Sequence, residues 1–134
     1  MTQPRLSLAL SDHARTYAPG ELLAGQFSVH GAPDDDLRAI EISVLWHTEG
    51  KGEEDMAVHF FERIEPHEEA PLVPHQPRKF STVLPNSPLS YTGHIVRICW
   101  CVRARVFFWQ GRDLSLDVPF QLGTVPTPGP LSAE

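Results

Sequence analysis

Apolar and polar residues alternate with a period of two along much of the chain. In the segment 114–122, Leu, Val and Phe side chains alternate with Ser, Asp, Pro and Gln. This pattern predicts a half-buried β-strand, because successive side chains of a strand point to opposite faces. The segment 94–110 is longer and carries its apolar residues on one parity: Val96, Ile98, Trp100, Val102, Ala104, Val106 and Phe108. We expect a strand this long to bend or to cross between sheets.

Shorter alternating runs predict the remaining strands. They lie near residues 5–10, 23–29, 37–47, 56–64 and 80–84. Turn sequences rich in Pro, Gly and Asp separate the runs, as at Ala18-Pro19-Gly20. No segment carries an apolar face of helical period, so we expect little helix. The pattern predicts an all-β, immunoglobulin-like antiparallel sandwich of about seven to eight strands.

The length of 134 residues fits one domain. We expect residues 1–123 to form the sandwich and residues 124–134, which contain three prolines, to be a flexible Pro-rich tail. The segment 65–77 contains four prolines and is predicted to be an extended connection. There is no internal repeat.

Charge and composition exclude several classes of function. The net charge is −6, and no run of Lys or Arg could neutralise successive phosphates, which disfavours nucleic-acid binding. No apolar stretch approaches the roughly 20 residues of a membrane-spanning helix. The first residues lack the features of a signal peptide, and Cys99 and Cys101 lie two apart on one strand face, which is poor geometry for a disulfide. We expect a cytoplasmic protein with reduced thiols.

Three segments resemble the sequence pattern of arrestin-domain proteins. The first is Tyr17-Ala18-Pro19-Gly20-Glu21, followed by Leu23, Gly25 and Phe27-Ser28-Val29. The second contains Phe80-Ser81-Thr82-Val83-Leu84-Pro85 and then Pro88-Leu89-Ser90-Tyr91-Thr92-Gly93, and the third is Ile98-Cys99-Trp100-Cys101-Val102-Arg103-Ala104. Their order and spacing are similar to those of the amino-terminal half of the family, which includes arrestins, a retromer subunit and bacterial sporulation-control proteins.

The resemblance implies an arrestin-type sandwich that acts as a scaffold or cargo adaptor rather than as an enzyme. Typical members have two such sandwiches in tandem, whereas this sequence has one, and no P-P-x-Y peptide occurs in it. We therefore expect binding to a protein partner that the sequence does not identify, by a sheet edge or a sheet face. A second copy of the chain could supply the missing half in a homodimer.

Four residues are candidates for partner binding: Arg97, Arg103, Arg105 and Trp109. The three arginines share one parity of the long strand, where they could form a basic strip for acidic or phosphorylated peptides. The alternative is that they pair with the acidic residues 34–36 or with acidic residues of a neighbouring strand. Trp109 ends the long strand and could form part of a partner surface, whereas Phe108 is expected to close the core.

Histidines and cysteines leave an enzymatic alternative open. The seven histidines are His13, His30, His47, His59, His67, His75 and His94, and they form no H-E-x-x-H motif. A metal site could still assemble across strands, for example from His47 and His59, which leaves a metal-dependent enzyme as an alternative. Cys99 or Cys101 could serve a thiol-dependent enzyme only beside a base in an electropositive setting. We predict no catalytic, cofactor-binding or metal-binding residues and no cofactor.

A carbohydrate-binding sandwich is the second alternative. Modules of that class present exposed aromatic platforms. Trp46 and Trp100 fall on predicted inward parities, so only Trp109 is available for such a platform.

Overall fold

A computed structural model describes residues 3–11, 15–33, 36–52, 54–67, 72 and 76–123, and these residues contain strands and no helix. The strands are β1 (Arg5–Leu10), β2 (Thr16–Tyr17), β3 (Leu22–His30), β4 (Leu37–Gly50), β5 (Met56–Ile64), β6 (Arg78–Val83), β7 (Tyr91–Thr92), β8 (Val96–Phe108) and β9 (Leu114–Leu122). The predicted all-β class is confirmed. β2 and β7 have only two residues each. The other seven strands agree with the seven to eight strands that alternation predicts.

The strands form two sheets. The small sheet has the order β1-β3-β6, and the large sheet has the order β2-β9-β8-β4-β5, with β7 also paired to β8. Every pairing is antiparallel except that of β2 with β9. β5 and β6 are therefore edge strands, and β4 and β8 are the central pair of the large sheet.

The core lies between the two sheets and is built from the inward parity of each strand. Trp100 is only 1% exposed and packs against Phe120, with ring centroids 5.8 Å apart. Phe108 is buried, as its position at the end of the long strand predicts. Other large side chains of the core are Leu23, Phe27, Ile42, Val44, Phe80, Val102, Val106 and Leu122. Burying so many apolar side chains supplies the main driving force for folding.

The long strand β8 stays in the large sheet throughout. It pairs with β4 from Val96, opposite Gly50, to Phe108, opposite Leu37. Of the two expectations for this strand, a bend or a crossing between sheets, the crossing is wrong, because β4 is long enough to pair with β8 over its whole length. Such a ladder fixes the positions of outward side chains on both strands.

Two motif glycines have clear backbone roles. Gly20 has a positive φ of 82° in the turn after β2, where L side chains are disfavoured. Gly25 lies where β1 and β3 approach closely, since a Cβ atom there would be 2.6 Å from the carbonyl oxygen of Ala9. The side chain of Glu21 closes the first turn by accepting a hydrogen bond from the Ala18 amide at 2.8 Å.

The predicted connection contributes to the core in a way that its composition does not indicate. Residues 65–67, 72 and 76–77 have no regular secondary structure, but Leu72 is buried in the core. Residues 124–134, the predicted tail, lie outside the described residues. Within the described residues, no helix could span a membrane.

Candidate functional site

The outer face of the large sheet carries most of the candidate residues. Outward side chains come from β5, β4, β8 and β9, on the side facing away from the core. Three of them, Leu45, Cys101 and Phe107, are buried although they lie outside the core cluster. Neighbouring side chains on the sheet surface therefore cover them, and the outer face is partly apolar.

Arg97 and Arg103 are paired with acidic residues of neighbouring strands. Arg97 forms an ion pair with Glu49, directly opposite on β4. Arg103 donates two hydrogen bonds to the carboxylate of Asp117 on β9, at 2.9 and 3.1 Å. Those bonds raise the pKa of Arg103. The sequence left open whether the arginines form a basic strip or pair with acidic residues. Arg97 and Arg103 pair with acidic residues of neighbouring strands.

Arg105 has a different environment. Its guanidinium lies over the ring of Phe107, 5.0 Å from the centroid, and those of Arg38 and Arg63 approach the same ring at 5.5 and 5.4 Å. Such distances are within the range of cation–π attraction. We call Arg38, Arg63 and Arg105 around Phe107 the arginine cluster.

The arginine cluster is only partly neutralised. Arg63 donates to Glu41 at 2.6 Å and lies 3.6 Å from Glu65. Among the described residues, neither Arg38 nor Arg105 has an acidic partner, and both are exposed. Two guanidinium groups are thus held against an aromatic ring with hydrogen-bond donors free to bind a ligand.

Sequence reasoning misses Arg38 and Arg63 for separate reasons. The register of β4 against β8 shifts between Leu37 and Ala39, so simple alternation does not place Arg38 near β8. Arg63 becomes visible only through the pairing of β5 with β4, which sets it opposite Glu41. The charge complementarity of Glu41 and Arg63 is the one signal in the sequence that could have indicated this register.

An exposed apolar row borders the arginine cluster. Met56, Val58 and Phe61 point outward from the edge strand β5 and are 50 to 59% exposed. They lie opposite His47, Leu45 and Ser43 of β4, and Arg63 follows next on the same face. The apolar row, Met56, Val58 and Phe61, therefore runs directly into the arginine cluster.

Trp109 lies apart from this surface, in the turn after β8, and is 64% exposed. Its amide donates to the carbonyl oxygen of Asp36 at 2.9 Å, so its backbone is fixed while its indole faces solvent. No ring contact joins Trp109 to another aromatic side chain in the part of the chain that the structure describes. Trp100 is buried and Trp46 packs against the core, as their parities predict.

The histidine pair suggested by the sequence does not form within the described residues. His59 bonds to the Val83 carbonyl oxygen at 2.7 Å and its ring contacts Trp100, towards the other sheet. His47 points outward instead, where its Nε2 lies 3.0 Å from Oε2 of Glu49. Cys99 lies opposite His47 on β8, and the three potential ligand atoms of His47, Glu49 and Cys99 are all within 4.8 Å of one another.

Neither thiol has the environment of a catalytic nucleophile. Burial, with the neighbouring Asp117 carboxylate, raises the pKa of Cys101 to about 11. Burial and the nearby Glu49 carboxylate also raise the pKa of Cys99. A reactive cysteine needs the opposite shift, because the thiolate is the nucleophile.

Comparison with known proteins identifies the fold. No protein-family model matches the chain, and no curated protein matches it by sequence. Among solved structures it is similar to Spo0M, the sporulation control protein of Bacillus subtilis, with 17% sequence identity and a TM-score of 0.67. The match covers 92% of this chain and 51% of the Spo0M chain, so this chain spans about half the length of that protein. The fold is thus the arrestin-like sandwich that the motifs predict.

Proposed function

We propose that this protein is a non-enzymatic interaction module that binds a protein partner through the outer face of its large sheet. The observation that carries the proposal is the continuity of the apolar row with the arginine cluster. Contiguous exposed apolar surface beside polar residues is typical of protein-interaction sites. Arginine and aromatic side chains are also enriched at the energetic centres of interfaces.

The arginine cluster indicates the chemistry of the partner. A guanidinium stacked on an aromatic ring keeps its planar edge available for bidentate bonding to a carboxylate. The guanidinium carbons of Arg38 and Arg105 lie 5.5 and 5.0 Å from the centroid of the Phe107 ring, on a chain whose net charge is −6. We infer that the partner presents acidic side chains next to apolar ones, the former to the arginine cluster and the latter to the apolar row. Such complementarity mainly provides specificity and fast association.

Two further facts support binding over catalysis. The raised pKa of each thiol disfavours cysteine chemistry, and the structural likeness is to a protein described as a sporulation control protein. We propose on these grounds a regulatory role through binding, in the cytoplasm that the sequence leads us to expect. The carbohydrate-binding alternative would rely on Trp109 alone, which offers a single exposed indole.

The test compares capture by matched surface variants. Wild-type protein, Arg38→Glu/Arg105→Glu and Lys79→Glu are used as baits in extract from the native cell, with quantitative mass spectrometry. Lys79 is exposed on the small sheet and controls for the change of charge. A true partner is retained by wild type and by Lys79→Glu but lost with the double variant.

Direct titration of the identified partner then decides the proposal. Each charge-assisted hydrogen bond contributes about 1.5–3 kcal/mol, so the double variant should bind at least about tenfold more weakly. Equal affinity of the double variant and wild type would overturn the proposed surface. Light scattering of the free protein tests whether the partner is a second copy, and a monomer at all micromolar concentrations would exclude self-association.

A further inference from the structure

We propose that His47, Glu49 and Cys99 form a binding site for a single Zn²⁺ ion on the outer face of the large sheet. The site is separate from the arginine cluster and does not rest on the proposed function. It also departs from the expectation, based on sequence, that the chain has no metal ligands. Within the described residues, no other group of His, Cys, Asp and Glu side chains brings three potential ligand atoms this close together.

The topology of the sheet places the three side chains together. His47 and Glu49 are two residues apart on β4 and therefore share its outward face. Cys99 on β8 is directly opposite His47, and the ladder between β4 and β8 continues on both sides of this pair. Because these are the central strands of the sheet, the ligands are carried on rigid elements, as a metal site requires.

The distances are close to those of a coordinated ion. Zinc bonds of about 2.0–2.3 Å in a tetrahedron separate the ligand atoms by roughly 3.3–3.8 Å. The nitrogen of His47 and the carboxylate oxygen of Glu49 are already 3.0 Å apart, and all three ligand atoms lie within 4.8 Å. Small rotations of side chains that are exposed or half-buried can close the remaining gap without moving the backbone.

The donor set selects among cations. Imidazole nitrogen, thiolate sulfur and carboxylate oxygen are the ligands of Zn²⁺ in proteins. Mg²⁺ and Ca²⁺ prefer oxygen ligands alone, so the sulfur of Cys99 disfavours both. On binding, the thiol of Cys99 releases its proton, and its thiolate together with the Glu49 carboxylate balances the two charges of the ion.

Arg97 gives the site an outer partner. Its guanidinium binds Oε1 of Glu49, while Oε2 of the same carboxylate faces His47. One oxygen is thus fixed by a neighbouring cation and the other points towards the position for the metal. Outer partners of this kind orient metal ligands. The three protein ligands leave a fourth, outward position for water, which is the coordination of an open zinc site.

The unpaired nitrogen of His47 is an independent observation at the same place. Its Nδ1 atom is buried and has no hydrogen-bond partner among the described residues. A buried polar atom without a partner is uncommon in native proteins. Coordination through Nδ1 would give this buried nitrogen the partner that it lacks, whereas coordination through Nε2 would use the atom that now lies 3.0 Å from Glu49.

Cobalt absorption tests the site directly, because a thiolate bound to Co²⁺ gives a charge-transfer band in the near ultraviolet. Reduced protein without an affinity tag is titrated with Co²⁺, and the ion is then displaced by Zn²⁺. The expected result is one equivalent of Co²⁺ with this band, abolished in Cys99→Ser and retained in Cys101→Ser. Absence of the band in wild type, or its persistence in Cys99→Ser, would overturn the proposal.

Variants at the other two ligands keep the test decisive if a cysteine variant fails to fold. His47→Ala and Glu49→Gln change side chains that are partly or fully exposed, and His59→Gln is the matched histidine control. Zinc affinity should fall at least about tenfold in the first two, since even loss of an outer partner has this effect. It should be unchanged in His59→Gln. Equal affinities in wild type and His47→Ala would exclude the site.

Discussion

The indole nitrogen of Trp100 donates a hydrogen bond of 2.8 Å to the carbonyl oxygen of Pro88. This bond joins the middle of β8 to the proline-containing segment that precedes β7. The indole also packs against Phe120 and contacts the ring of His59, so one side chain connects strands of the large sheet with the chain entering it. The Pro88 segment is one of the three motifs of the arrestin resemblance, and its position depends on Trp100.

Replacing Trp100 with Phe should destabilise the protein by about 2–4 kcal/mol. The change leaves the Pro88 carbonyl without its donor and opens a cavity in the core. Urea unfolding measures the loss as a lower midpoint with an unchanged slope. Trp109→Phe is the matched control, because Trp109 is exposed and should change stability by less than about 0.5 kcal/mol. Similar losses in both variants would contradict the assigned role of Trp100.

Gly25→Ala should destabilise the small sheet by about 1–3 kcal/mol, the usual range for overpacking. The added methyl group would be 2.6 Å from the Ala9 carbonyl oxygen and 2.9 Å from the ring of Phe80, so β1 or β6 must shift. Thermal or urea unfolding provides the measurement. Gln26→Ala, at the next and exposed position, should stay within about 0.5 kcal/mol of wild type. A neutral Gly25→Ala would show that the strands have room to separate.

The ion pair of Arg103 with Asp117 should give a small, salt-sensitive coupling energy. Its two parallel hydrogen bonds are favourable, but both side chains are partly exposed and water screens the interaction. We expect about 0.5–1 kcal/mol in a double-mutant cycle with Arg103→Ala and Asp117→Ala, falling at high salt. A coupling that is zero at low salt would mean that solvent already replaces the pair.

The two cysteines should react with a thiol reagent in separate steps. Cys101 is 4% exposed and burial raises its pKa to about 11, so its thiolate is scarce at neutral pH. At neutral pH we expect one equivalent to react readily in the native protein, from half-buried Cys99, and the second to react readily only in denaturant. The rate of native Cys101 should keep rising with pH up to about 11, because the thiolate fraction increases until the pKa is reached. Two equivalents reacting at one rate would contradict this assignment.

The interior of the sandwich could be predicted from the sequence because alternation holds along β8 and β9. Trp100, Val102 and Val106 are buried on the predicted face. Gly20 also lies in the turn that the sequence Ala18-Pro19-Gly20 predicts, since a tight turn is a local requirement. Alternation does not predict where the register between two paired strands shifts.

The candidate surface was harder to predict because it depends on such shifts and on contacts between strands. Arg38 reaches Phe107 only because the register of β4 against β8 changes beside it. The pairing of Cys99 with His47 joins residues far apart in the chain, and period alone does not align two strands. Leu72 is buried although its proline-rich surroundings predict only a connection. These features follow from tertiary register rather than from local pattern.

The register shift in β5 has a consequence for solubility. Between the pairs Val44–Phe60 and Leu45–Val58, His59 has no partner on β4, and its side chain bonds to Val83 of the other sheet. An incoming strand would meet an interrupted ladder on this edge, and bulges of this kind protect sheet edges from open-ended aggregation. We therefore expect the apolar row to lie on an edge strand that resists open-ended pairing with further copies.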